Sequence, residues 1–600
     1  MTLTLPHRAD VAPEYTWSLT DLYATPTDWE TAYTAMQHDI QQIEPFRGRL
    51  GESPAVLLNM FQTWERLGML MYRLVIYARL DSDTDTTNQT RTERLNRVLG
   101  LATRYFAATS FIEPELLELE PATLTSMVAA APGLQTYTHF LDDVQRRREH
   151  VRSAEVEAIV AQAGQPLGTP WNAYQVLTDG EIIFRPAHDS SGQAHEVAQG
   201  TIDALLLDAD RTLRKSAWEA YADGFLQVKN TQAALLAGNV QSNIFYARVH
   251  NFATARQAAL FANNIPVAVF DNLIDACNRH LPIWHRYWHI RRRALGLEKL
   301  EVCDIFAPLA SAETPVPYQQ AVDWICAGLQ PLGDAYVQVS RAGMTSGRWV
   351  DIYPNRGKRN GAYSNGAYGV HPYILMSYTD NLESMSTLAH ELGHALHSYL
   401  SNEHQTFLNA GYTIFAAEVA SNFNQAMVRA YLLRENDDPA FQIGVIEEAM
   451  RNFHRYLFLM PILAQFERTI HERVEHGEAL TADGLGALLV GLFNRSYGDA
   501  FAIDAERVGI TWAQFVHMYM NFYVYQYASG IAAANALADR VLAGEEGIVE
   551  RYLTFLQAGG SRYPLDALAA AGIDMTSPEP IDRAFAVLEG FVNRLDELTR

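Results

Sequence analysis

The 600-residue sequence predicts a mainly α fold with one small β-sheet, on three observations. Apolar residues recur at three- and four-residue spacing through most of residues 14–180 and 208–296, and again after 418, which places them on one face of successive helices. Strand-like runs are short and confined to residues 177–184 and 371–378. The hydrophobic content is 48%, enough for extensive packed cores, yet no uninterrupted apolar run approaches the length of a membrane span.

The elements follow in order. Thr27 and Glu30, after Pro26, form a capping box, and Trp29, Tyr33, Met36 and Ile40 continue at helical spacing. Further helices are expected over 56–80, 88–112, 121–130 and 153–163. Asp179-Gly180 sets a turn before Glu181-Ile182-Ile183-Phe184, a hairpin signal, and the polar loop Asp189-Ser190-Ser191-Gly192 follows. The division is placed there, giving an N-terminal helical lobe over 1–195 and a second domain over 196–600. Asp208 opens a helix through Trp218 and Tyr221, and helices continue to Gly296. The charge runs Arg146-Arg147-Arg148-Glu149 and Arg291-Arg292-Arg293 read as solvated helix faces.

Residues 300–378 break the periodicity with Pro, Gly and aromatic residues. The glycines of Gly357–Val370 mark turns or close backbone approach, and His371–Tyr378 reads as a strand leading into the next helix. A small sheet with a free edge can accept an extended peptide as one more strand.

That next helix carries His390-Glu391-Leu392-Gly393-His394. Histidines at i and i+4 share a helical face, so both imidazoles reach one metal ion while Glu391 projects beside them. Asp380 and Glu383 are the expected cap pair. A catalytic zinc takes three protein ligands and keeps a fourth position open, so a third ligand is needed. Glu418 is the best candidate, in a second apolar-periodic run after Asn409-Ala410-Gly411. The longer three-histidine pattern is excluded, because its Gly and third His positions hold His397 and Leu400.

Composition narrows the rest. A formal charge of −23 opposes nucleic-acid binding, which needs clustered Lys and Arg. Cys277, Cys303 and Cys326 are odd in number and widely spaced, offering neither a disulfide framework nor a metal knuckle. The first residues lack a basic stretch followed by an apolar core, so a cytoplasmic protein with no membrane partner is expected.

His390–Ser398 with Glu418 in Glu-x-x-Ser resembles the thimet oligopeptidase/oligoendopeptidase F family, and Trp17–Tyr23, Gly361-Ala362-Tyr363-Ser364 and Pro372–Met376 are similar to segments of its oligoendopeptidase F branch. His371 stands where that branch carries Asn. The resemblance implies a two-lobed helical zincin-type metallopeptidase with a deep channel. It implies one zinc on His390, His394 and Glu418, with Glu391 as general base, and cleavage of internal bonds in oligopeptides. Substrate contacts are expected from Gly366, Tyr368, Gly369 and His371. The run His517–Gly530 is rich in aromatic hydroxyls, each of which needs a partner if buried. The resemblance implies that His517, Tyr523 and Tyr527 face the metal, with Tyr519 and Tyr525 as the other tyrosines in the run. Two other activities share the scaffold: removal of C-terminal residues, for which Arg348, Lys358 or Arg359 would hold a terminal carboxylate, and peptide binding without chemistry.

Overall fold

The computed structural model describes residues 5–310 and 314–600. Helices dominate, and the sheets are small: a hairpin of β1 (Ala187–His188) and β2 (Ala194–His195), and a three-stranded sheet of β3 (Val350–Asp351), β4 (Tyr363–Asn365) and β5 (Tyr373–Leu375) in the order β3-β5-β4. Strand β5 is parallel to β3 and antiparallel to β4, with Ser364 opposite Ile374. The chain forms two compact units from interleaved segments. The first comprises 1–149, 315–431 and 540–572, and the second 150–314, 432–539 and 573–600. This grouping differs from a division at 195/196, because Ala154–Leu167 and Thr169–Val176 pack on the long helix Lys229–Val249 and so join the second unit.

In the first unit, helix Pro26–Asp39 starts on Thr25 and Asp28 instead of Thr27 and Glu30. Pro26 fixes the first turn, so Asp28 is the residue in place to accept the Thr25 amide at 2.9 Å. Helices Pro54–Asp83 and Gln89–Thr109 then pack against each other. Trp29 is fully buried between them and donates its indole N–H to the Leu74 carbonyl at 3.0 Å. The same core includes Tyr373 and Leu375 of β5, which anchors the sheet.

The N-terminal segment runs along the 348–356 stretch, with the Ile352 amide donating to Tyr15 at 3.0 Å. Asp351, buried in β3, takes Arg8 at 2.5 Å and Lys358 at 2.7 Å. Arg348 is held by Thr16 and Trp17, and Arg359 lies 3.4 Å from Asp83. Helix Leu382–His404 follows this sheet, and Ile548–Ala558 packs on it from much later in the chain.

Three expectations fail in the second unit. Residues 177–181 form a π-helical turn instead of a strand, since the Thr178 hydroxyl donates to the Tyr174 carbonyl at 2.9 Å and prolongs the preceding helix. The hairpin comes later, around Asp189–Gly192. Arg291 belongs to no solvated face: it is 1% exposed and pairs with Glu447 at 3.1 Å. Helix Arg211–Gln227 is capped by Asp210, two residues past the expected Asp208.

Candidate metal centre

The first ligand helix, Leu382–His404, begins on Asn381, whose side chain accepts the Ser384 amide at 2.9 Å. Asp380, expected in that role, lies one residue too early and adopts φ +54°. The His390 and His394 rings stand 4.9 Å apart on one face. The second ligand helix, Ile414–Glu435, brings Glu418 Oε2 to 3.5 Å from His390 Nε2 and 3.9 Å from His394 Nε2. One donor atom from each of the three residues lies within 4.8 Å of the others.

Hydrogen bonds on the far side of the rings set this geometry. The Gln425 amide donates to Ser386 Oγ at 2.8 Å, which turns its carbonyl oxygen to His390 Nδ1 at 3.0 Å. The His390 ring therefore carries hydrogen on Nδ1 and presents a bare Nε2 lone pair inward, and His394 turns its Nε2 toward the same Glu418 oxygen. Burial, aided by His390, lowers the His394 pKa to about 4, keeping the ring neutral. The Ala417 backbone, on the second ligand helix, favours the charged form of His394 slightly. Ser421 Oγ steadies the Glu418 carboxylate at 3.0 Å. Two lone pairs and a carboxylate oxygen aimed at one point repel one another unless a cation sits among them. Two imidazoles and one carboxylate are the donor set of a catalytic zinc site.

Glu391 is 7% exposed. Burial, with Glu418 adding to it, pushes its carboxyl up to about 7 against the pull of His390 and the Ser364 backbone in β4. An acid–base group in that range suits proton transfer at neutral pH. His397 takes no part in the ligand set: its ring stacks on Tyr412 at 3.7 Å. Tyr412 also donates to the His394 carbonyl at 3.3 Å and meets Ser398 at 2.8 Å.

The loop between β4 and β5 carries the expected substrate contacts. Gly369 has φ +76°, which favours glycine, and a Cβ at Gly366 would lie 3.1 Å from Pro372 Cα. The Tyr368 hydroxyl donates to the Gln405 carbonyl at 2.7 Å. His371, in the place of the expected Asn, pairs with Asp21 at 3.0 Å and stacks on Trp349.

In the second unit His517, Tyr523 and Tyr527 form a group of their own. The Tyr527 hydroxyl lies 3.4 Å from both His517 Nε2 and the Tyr523 hydroxyl. Burial, then Arg455, lowers His517 to about 4. Tyr525 points elsewhere and packs on Phe270 at 5.3 Å. Gln425 and Ser386 were missed from sequence. Gln425 follows Glu418 by seven residues, two turns along the same face, and that spacing was the available signal.

The chain is similar along most of its length to known peptidases. The description "Peptidase family M3" matches residues 204–587, and "Oligopeptidase F" matches 115–184. Oligopeptidase PepF of Bacillus subtilis is 37% identical over 99% of this chain and 88% of its own length. Group B oligopeptidase PepB of Streptococcus agalactiae is 34% identical over 99% of this chain and 98% of its own. The crystal structure of oligoendopeptidase-F from Enterococcus faecium superposes with a TM-score of 0.74 at 30% identity, covering 95% of this chain and 99% of that one.

Proposed function

The chain belongs to peptidase family M3, and on that premise we propose that it is a zinc-dependent endopeptidase cleaving internal bonds of short oligopeptides in the cytoplasm. The observation that carries the reading is the convergence of His390, His394 and Glu418, with Glu391 buried beside them. When bound there, zinc supplies a Lewis acid that polarises a carbonyl and makes water acidic enough to deprotonate near neutral pH.

The chain's own residues do the rest. Glu391 accepts a proton from the attacking water and delivers it to the leaving amine, so the peptide bond breaks with one water consumed. Strand β4, at the edge of its sheet, offers backbone groups that an extended peptide can pair with, and the Ser364 backbone already bonds Glu391. In this reading Gly366, Tyr368, Gly369 and His371 line the peptide, and His517, Tyr523 and Tyr527 donate to the carbonyl oxygen as charge develops on it. Internal cleavage is favoured over C-terminal trimming because Lys358, Arg348 and Arg359 are engaged by protein partners. Unpaired, buried Cys277, Cys303 and Cys326 suit a reducing compartment.

The test digests one peptide of about ten residues with free and with amidated C-terminus, beside casein, with products read by mass spectrometry. Internal fragments at equal rates from both peptides, with casein largely spared, are expected. Dependence on the free carboxylate would replace the endopeptidase reading with a carboxypeptidase one.

A further inference from the structure

Outside the metal site, the most unusual buried group is Glu467. It lies on helix Met460–Glu475 at 1% exposure, with no cation against it among the described residues. One carboxyl oxygen accepts the Phe522 amide at 2.7 Å, and the other has no hydrogen-bond partner among the described residues. Phe522 has φ +49°, a left-handed conformation that a bulky aromatic residue adopts only when its surroundings impose it. Those surroundings are specific. The Phe522 ring packs 4.7 Å from His471, whose Nδ1 donates to the Glu467 carbonyl at 2.9 Å. Asn243 reaches His471 Nε2 at 3.3 Å, and Asn239, one turn earlier on the same helix, donates to the Tyr519 carbonyl at 3.4 Å. Tyr523 follows Phe522 directly, and the same turn ties the Tyr523 amide to Met520 and the Met520 amide to His517.

We propose that Glu467 is a positioning residue: its carboxyl holds the left-handed turn at Phe522 and so sets the alignment of His517, Tyr523 and Tyr527. The proposal rests on the reading that those three groups serve the hydrolysis. Burial raises the Glu467 pKa well above the ordinary carboxylate range and so favours the neutral acid, whose oxygen presents an acceptor to the Phe522 N–H. That acceptor is retained by an amide and lost with an alkyl chain. Without it the Phe522 amide is buried unpaired, and φ relaxes toward negative values.

Steady-state kinetics on a quenched fluorescent peptide, with zinc content measured on each variant, test this. Glu467→Leu should lower kcat on the order of 10²-fold, the cost of misplacing reacting groups, with KM and zinc content near wild type. Glu467→Gln should restore most of kcat. In a Tyr527→Phe background Glu467→Leu should add little, because both act through one unit. If Glu467→Leu does not fold, Glu467→Asp, which draws the carboxyl back by one methylene, should show a smaller loss confined to kcat. Unchanged kcat in the Leu or Asp variant overturns the proposal, as do equal losses in Leu and Gln or full additivity with Tyr527→Phe. Near-wild-type kcat in all of His517→Ala, Tyr523→Phe and Tyr527→Phe is a different failure, that of the underlying reading.

Discussion

Gly393 faces the Ala420 carbonyl so closely that a Cβ on it would lie 2.4 Å from the oxygen, and 2.6 Å from Ser421 Cα. The two ligand helices cross with backbone on backbone at Gly393, the residue just before the second histidine of the motif. The contact involves no flexible side chain that could yield. Gly393→Ala should therefore push Glu418 away from the histidine pair, costing about 1–3 kcal/mol of stability from overpacking. Zinc affinity, measured by competition with a chelator, should fall at least as steeply. Wild-type affinity in this variant would mean that the helix crossing does not set the ligand distance.

Removing ligands and removing the base should separate cleanly. Glu418→Ala and His394→Ala should lose stoichiometric zinc and activity together, whereas Glu391→Gln should keep zinc and lose turnover. His397→Ala should keep zinc, since its ring is turned onto Tyr412. Zinc loss in the His397 variant, read by elemental analysis, would show the ligand set to be misassigned.

Gln425 offers a finer test because it reaches the candidate ligand set through the Nδ1 of His390. Gln425→Ala frees the imidazole to rotate and exchange tautomers, and should weaken zinc by about 10–100-fold. Equilibrium dialysis against buffered zinc measures it directly. A loss no larger than that of a distant surface amide would sink the orienting role.

Sequence carried the metal site further than it carried the fold. The i, i+4 histidines were readable because helical geometry puts them on one face, whereas Glu418 lies on a second helix and was a candidate that the family resemblance supported. The cap of the same helix was misplaced by one residue: Asp380 and Asn381 are both good capping types, and only the backbone decides between them. Residues 177–184 looked strand-like because β-branched residues follow an Asp-Gly pair, but the local bond from Thr178 to Tyr174 favoured a helical turn. The units could not be read from sequence at all, since they depend on contacts between segments hundreds of residues apart.

The hydroxyl group around His517 predicts a split in kinetics. Tyr527→Phe and His517→Ala should each lower kcat by about 10²–10³-fold, as for one lost oxyanion donor, with KM little changed. Tyr525→Phe should leave turnover near wild type, its ring packing on Phe270 instead. Four near-wild-type values across the Tyr→Phe variants at 519, 523, 525 and 527 would return the cluster to a packing role.

Acid should destabilise the protein through its buried histidines. Burial, then Arg291, lowers His454 to about 3. The unfolded imidazole takes up a proton below about 6.5 and the folded one does not, so its contribution is complete above that pH and is lost as pH falls toward 3, at about 1.4 kcal/mol per pH unit. His454→Phe, which suits the aromatic ring of Phe458 at 5.0 Å, should show a smaller fall in Tm between pH 7 and pH 5 than wild type. Parallel curves would place the acid sensitivity elsewhere.

The interleaving of the two units has a consequence for how the protein is made. A ribosome releases the first ligand helix long before it has synthesised Ile548–Ala558, which packs on that helix, or Gly560, whose amide bonds the Asn409 carbonyl at 2.8 Å. The nascent metal motif thus emerges with one apolar flank uncovered, and neither unit is complete until its last segment, 540–572 for the first and 573–600 for the second, has been synthesised. Folding one domain at a time behind the ribosome, the usual course for larger chains, is closed to this one. Each unit is assembled from three separated segments, so neither can be cut out as a single continuous stretch of gene.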